Sequence, residues 1–140
     1  MIKRNKLLLV DDDASCLMEM IGIFKKDYEL STAKNGKSAI ERAALSQPDL
    51  IILDVFMPEM SGFDVIIKLK ELEETKDIPV VFASGAEGNN DERRGLELGA
   101  IDYIRKPLDE TIVTLRIKNH IDTINLLKDK EDAIKELKGD

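Results

Sequence analysis

The stretch Leu50-Ile51-Ile52-Leu53-Asp54 constrains the fold more than any other part of the chain. Four consecutive apolar residues closed by one carboxylate read as a strand buried on both faces; a half-exposed strand would alternate polar and apolar side chains. Pro58 comes soon after and cannot continue a central strand, because it has no N–H to give to the ladder. Asp54 is therefore expected at the carboxyl end of a buried strand, where open α/β sheets place their ligands. A carboxylate there is partly desolvated, which is costly unless a cation or hydrogen-bond donors face it.

The rest of the chain repeats this alternation of strand and helix. Leu7-Leu8-Leu9-Val10 is a second apolar run, ended by Asp11-Asp12-Asp13. Leu17, Met20, Ile21 and Phe24 recur at helical spacing and predict a helix over residues 14–26. Residues 28–32 form a more polar strand, expected near a sheet edge. Asn35-Gly36 signals a turn before a helix with Ala39, Ile40, Ala43 and Ala44 inward, closed by Pro48. Ser61 caps the next helix with Asp64 three residues on, and Phe63, Ile66, Ile67 and Leu69 supply its packing face. Residues 78–83 and 101–104 read as the fourth and fifth strands, separated by a polar helix over 90–98 that ends at Gly99. A long amphipathic pattern then runs from about Asp109 onward. Five strands alternating with five helices imply right-handed crossovers. The expected architecture is a flavodoxin-like, doubly wound α/β fold: a five-stranded parallel sheet in a (βα)5 arrangement, helices on both faces, and an extended C-terminal helix.

Composition narrows the function. At 140 residues the chain is one domain with room for a core. A net charge of −7 argues against direct nucleic-acid binding, which needs clustered Lys and Arg. No apolar run approaches the roughly 18 to 20 residues that cross a bilayer, so no membrane association is expected. The basic start around Lys3 and Lys6 is no secretory signal, because Asp11 to Asp13 interrupt the apolar segment. The single cysteine, Cys16, cannot form an internal disulfide and suits a reducing cytoplasm.

In such a fold several strand ends carry chemistry at once: Asp11 and Asp12 after the first, Asp54 after the third, Ser84 after the fourth and Lys106 after the fifth. Three gathered carboxylates repel by roughly 1 to 4 kcal/mol per close pair, a cost that a hard cation such as Mg²⁺ or Mn²⁺ offsets. Mg²⁺ favours one or two carboxylates together with phosphate oxygens. Lys106 offers a compact charge to a phosphoryl oxygen, and the Ser84 hydroxyl can donate to another. Asp54 is the acid best placed as nucleophile, giving an aspartyl-phosphate.

The motifs Leu9-Val10-Asp11-Asp12, Leu53-Asp54-Val55-Phe56-Met57-Pro58-Glu59-Met60-Ser61-Gly62, Ser84-Gly85 and Tyr103-Ile104-Arg105-Lys106-Pro107 resemble the receiver domain of two-component response regulators over about residues 6–120. The resemblance implies a phosphoryl group taken from a sensor histidine kinase or phosphotransfer protein onto Asp54, with the acid pair Asp11 and Asp12 on the metal. It also implies that the Phe56 backbone carbonyl completes the metal shell, and that Ser84 and Tyr103 form a switch which repacks the surface around the fourth helix and fifth strand for a downstream partner. The domain is then a phospho-accepting switch rather than a turnover enzyme, though it assists its own phosphorylation and dephosphorylation.

Two other readings stand beside this one. Asp-x-Asp in the first acid run also occurs in haloacid-dehalogenase-like phosphotransferases, whose nucleophile is the first acid of the first strand. A receiver used only for protein interaction, independent of phosphorylation, is the second. Asp13 is expected to cap a helix, Cys16 to be a small helix residue, and His120 to lie on a helix surface. Residues 87–92 read as a solvated acidic loop. Phe56 and Ala86, each two residues after Asp54 and Ser84, are apolar and cannot position an attacking water, so slow self-dephosphorylation is expected.

The receiver is expected to span residues 1–122, with 123–140 a helical extension or a linker to an output domain. Ile117, His120, Ile124, Leu127, Glu131 and Ile134 fall at three- and four-residue steps, a heptad seam weakened by His120 and Glu131. It reads either as a charged helix end or as a coiled coil giving a homodimer through the C-terminal helix. The segment Leu115-Arg116-Ile117-Lys118-Asn119-His120-Ile121 is similar to junctions before cyclic-dinucleotide enzymes and in hybrid histidine kinases.

Overall fold

The computed structural model describes residues 4–85 and 89–138. Ala86 and the first part of the expected acidic loop lie outside them. The elements alternate strictly: β1 (Lys6–Val10), α1 (Ala14–Phe24), β2 (Glu29–Ala33), α2 (Gly36–Ser46), β3 (Leu50–Leu53), α3 (Gly62–Glu71), β4 (Val80–Ser84), α4 (Asn89–Glu97), β5 (Asp102–Arg105) and α5 (Glu110–Leu137). All strand pairs are parallel, in the order β2-β1-β3-β4-β5. This is the doubly wound, five-stranded flavodoxin-like sheet with a long C-terminal helix.

The continuous apolar runs are explained by two cores. Leu8, Val10, Ile51, Leu53, Val80 and Phe82 meet α2 and α3 on one face. Leu7, Leu9, Leu50, Ile52, Val81 and Ile104 meet α1 and α5 on the other. Successive strand residues point to opposite faces, so a strand covered twice must be apolar at every position. β2, at the edge, is more polar and only partly buried, as its sequence indicates.

Helix ends obey local chemistry. The Asp13 carboxylate accepts from the Ser15 and Cys16 N–H groups and caps α1. Ser61 and Asp64 form a reciprocal capping box that starts α3. Three expectations need correction. Ile67 is exposed, and Val65 takes its place in the core. α4 begins at Asn89, so most of the expected loop over 87–92 is helix. His120 is not a free surface residue: its Nε2 lies 2.9 Å from Asp102 Oδ2, and Asp102 also receives the Arg116 guanidinium.

α5 runs unbroken past residue 122. Ile117, Ile121 and Ile124 are buried against the sheet, so Ile117 and Ile124 of the heptad seam belong to the domain's own core. Asn125 exchanges side-chain hydrogen bonds with Asn5, and Lys128 pairs with Asp49. Beyond Lys128 the helix projects from the body.

Candidate functional site

The strand order reverses between β1 and β3, and open sheets form their crevice at the carboxyl ends beside such a reversal. Backbone bonds carry the ladder one step past each strand and fix the residues that come next. Asp54 N–H donates to Val10 at 3.0 Å, Asp11 N–H to Ala33 at 3.2 Å, and Lys106 N–H to Ser84 at 2.9 Å.

The acid run divides its labour. Asp11 is fully buried; one carboxylate oxygen accepts from Asp13 N–H at 2.9 Å and the other from Lys106 Nζ at 2.6 Å. Asp12 is exposed and Asp13 serves the cap. Asp54 is only 7% exposed, and Lys106 Nζ lies 3.8 Å from its Oδ1. Oxygens of Asp11, Asp12 and Asp54 all lie within 4.8 Å of one another.

Charge and burial set the electrostatics. Burial pushes the Asp54 carboxyl up to about 6; Lys106 opposes the rise and Asp11 reinforces it. Burial also works against the Lys106 charge, but the Asp11 hydrogen bond and the Asp54 charge outweigh it and raise the ammonium above its usual range. The site thus holds more negative charge than one lysine neutralises. The three acids are thus gathered within the few ångströms from which a hard cation could draw them together, and their all-oxygen donors suit Mg²⁺ or Mn²⁺.

Ser84 and Tyr103 lie close to each other. Ser84 is fully buried at the end of β4, and Tyr103 is buried in β5. Burial raises the Tyr103 phenol above its usual range, and the nearby Ser84 hydroxyl opposes the rise. The approach falls short of full hydrogen-bond geometry, and the Tyr103 hydroxyl has no partner among the described residues. The Tyr103 ring packs 6.1 Å from that of Phe82, which meets Phe63 edge-on at 5.5 Å. Phe56 sits in the loop after Asp54 with its ring exposed.

Two glycines hold this arrangement: Gly62, the last residue of the acceptor motif, and Gly95, which no motif singles out. A Cβ on Gly62 would lie 2.2 Å from the Asp54 carbonyl oxygen, and Gly62 N–H donates to Val55 at 2.7 Å. Only glycine lets α3 start this close to the acid's backbone. A Cβ on Gly95 would lie 2.8 Å from the Phe82 ring and 3.4 Å from that of Tyr103. Gly95 thus seats α4 on the aromatic cluster, and Arg94 lies 4.7 Å over Phe63. A glycine inside a helical pattern was the available signal. The β3–α3 loop also contains a tight turn: Met60 N–H reaches the Pro58 carbonyl at 2.7 Å around Glu59, whose φ is +69°.

Fold and site together define a doubly wound α/β domain with an acidic pocket and a lysine at the switch in strand order. The profile of the family described as response regulator receiver domain matches residues 7–118, and the chain belongs to that family. It is a response regulator receiver domain of two-component systems, which makes it a signalling domain rather than a dehalogenase-like phosphotransferase. The chain is similar to the response regulator PleD of Caulobacter vibrioides, with 40% identity over 115 residues, 81% of this chain and 25% of that protein. It is also 38% identical over 115 residues to a probable cyclic di-GMP phosphodiesterase of Vibrio cholerae, covering 82% of this chain and 26% of that one. The chain spans about a quarter of the length of these curated relatives. Among solved structures, the signal receiver domain of a putative LuxO repressor protein from Vibrio parahaemolyticus superposes with a TM-score of 0.83 at 26% identity, covering 90% of this chain and 96% of that one. The chemotaxis protein CheY4 of Vibrio cholerae gives 0.78 at 25% identity, covering 84% and 98%. Among the described residues no helix is long and apolar enough to cross a membrane.

Proposed function

We propose that the domain accepts a phosphoryl group on Asp54 from a phosphohistidine of a sensor histidine kinase or phosphotransfer protein. The observation that carries this reading is the convergence of three acids within 4.8 Å with Lys106 Nζ 3.8 Å from Asp54. An Asp54 carboxylate oxygen attacks phosphorus as the phosphorus–nitrogen bond of the donor breaks, and the donor imidazole leaves with the electron pair. Asp11, Asp12, Asp54 and the Phe56 carbonyl would hold Mg²⁺ or Mn²⁺, which when bound offsets charge on the transferring group. Lys106 turns from Asp11 towards a phosphoryl oxygen, and its charge stabilises the product. Bringing Asp54 to the nucleophilic carboxylate form requires a proton to leave a group that burial holds near 6, and added cationic charge favours that loss.

The switch lies in Ser84 and Tyr103. The phosphoryl group draws the Ser84 hydroxyl away from Tyr103, and the ring repacks in the space beneath α4. The surface of α4 and β5 changes with it, and a downstream protein or output domain reads the change. Residues 1–122 serve as the receiver unit, with Ile124, Asn125 and Lys128 still packed on it, and 123–140 carry the helix towards an output domain or a second copy. The phosphorelay setting implies a cytoplasmic domain.

A small phosphodonor in the presence of Mg²⁺ provides the test. The chain is expected to gain the mass of one phosphoryl group only when Mg²⁺ is present, and Asp54→Asn to gain none. Multiple turnover of a phosphomonoester without stable mass gain would overturn the reading.

A further inference from the structure

The last turns of α5 and the loops at the amino edge of the sheet enclose a groove of about 690 Å³, at the end of the domain opposite Asp54. Its floor is Ile78, Pro79, Ile124 and Leu127, and Glu73, Glu74, Asp77 and Glu131 stand around it. Lys76 already pairs with Glu73 at 3.1 Å, and Lys128 is held by Asp49. The groove exists because α5 outlasts the body: Ile124 is its last buried residue. From there the helix exposes an apolar row, with Leu127 57%, Ile134 48% and Leu137 88% exposed.

In a parallel pair Glu131 would face its own copy across this row. An antiparallel pair avoids that contact and brings each helix end to the groove.

We infer that the occupant is α5 of a second copy, laid antiparallel so that Ile134 and Leu137 of each chain enter the groove of the other. This rests on reading the extension as a self-association element and adds its direction and its seat. Setting Leu127 opposite Ile134 places Ile124 opposite Leu137 and Lys130 opposite Glu131, so the same register satisfies both apolar and charged positions. It also carries Lys135 and Lys138 towards Glu74 and Asp77 on the groove rim. The contact is isologous: each chain gives one helix end and one groove, and the pair closes on itself.

Disulfide trapping distinguishes the directions. In a Cys16→Ser background, Leu127→Cys and Ile134→Cys chains are oxidised separately and mixed. The mixture is expected to give a covalent dimer, and Ile134→Cys alone is not. Sedimentation equilibrium of the unmodified chain is expected to show a monomer–dimer equilibrium, which Asp77→Lys, and independently Glu74→Lys, weakens by about tenfold while circular dichroism stays unchanged. Cross-linking of Ile134→Cys with itself would keep the dimer but overturn the antiparallel seat. An unchanged dissociation constant in both charge reversals would overturn the groove as the seat. A chain that stays monomeric to about 1 mM would overturn self-association altogether.

Discussion

Lys106 Nζ lies 2.6 Å from Asp11 and 3.8 Å from Asp54. The lysine is thus held by a metal-ligand candidate while remaining within reach of the proposed acceptor. Asp11 is fully buried, and a buried charge that loses its partner is costly. Lys106→Met is expected to destabilise the metal-free domain by roughly 1–3 kcal/mol. Mg²⁺ should recover part of that loss, because a cation replaces the missing charge. Urea unfolding with EDTA and with Mg²⁺ measures both.

The raised Asp54 group predicts a pH dependence of stability. Its folded value of about 6 exceeds the ordinary 3.8, so between these values the folded state binds the proton more tightly than the unfolded chain. Stability then falls as pH rises from about 4 to about 6.5, by at most about 3 kcal/mol. Below the window both states are protonated, and above it both are ionised. Asp54→Asn should flatten this slope and leave the domain more stable at neutral pH. Urea unfolding in EDTA across the window checks it.

Gly62→Ala places a methyl group against the Asp54 carbonyl. Backbone cannot yield as a flexible side chain does, so a loss of about 2–3 kcal/mol is expected. Acceptor displacement should also slow phosphorylation from a small phosphodonor, read by mass spectrometry. A domain unchanged in both would contradict the close approach of α3 to the acceptor.

The Tyr103 hydroxyl has no partner among the described residues, so Tyr103→Phe should cost under about 0.5 kcal/mol or stabilise slightly. Tyr103→Ala empties the space beside Phe82 and should cost about 3–4 kcal/mol. The alanine variant is expected to be phosphorylated but to lose phosphorylation-dependent partner binding. Equal partner binding by the phosphorylated variant and the parent would contradict the switch.

Phe56 can offer no hydrogen bond to an attacking water, and its ring is exposed in the loop after Asp54. Phosphate loss should be slow, and Phe56→Asn should accelerate it by about tenfold or more. Decay of the phosphorylated mass with time measures the rate.

Much of the fold and site was legible in the chain itself because the signals are local. Leu50 to Leu53 could only be a doubly covered strand, and the strand ends then brought Asp11, Asp54 and Lys106 together. Asp13, Ser61 and Asp64 announced their caps through side chains that bond within three residues. What depends on distant partners was not legible. His120 looks like a surface residue until Asp102, 18 residues earlier, accepts it. The heptad spacing of Ile117 and Ile124 is equally that of a helix packing on its own sheet, and burial alone separates the two. The lysine's preference for Asp11 over Asp54 and the steric need for Gly62 arise from tertiary distances of a few ångströms, which spacing along a chain does not encode.

The most direct measurement locates the phosphoryl group. After treatment with a small phosphodonor and Mg²⁺, borohydride reduction converts an aspartyl-phosphate to homoserine, which peptide mass spectrometry can place. Homoserine at position 54, absent without Mg²⁺ and absent in Lys106→Met at short times, is the expected result. Phosphate at any other residue, or labelling that survives Asp54→Asn, would contradict the assignment of Asp54 as acceptor.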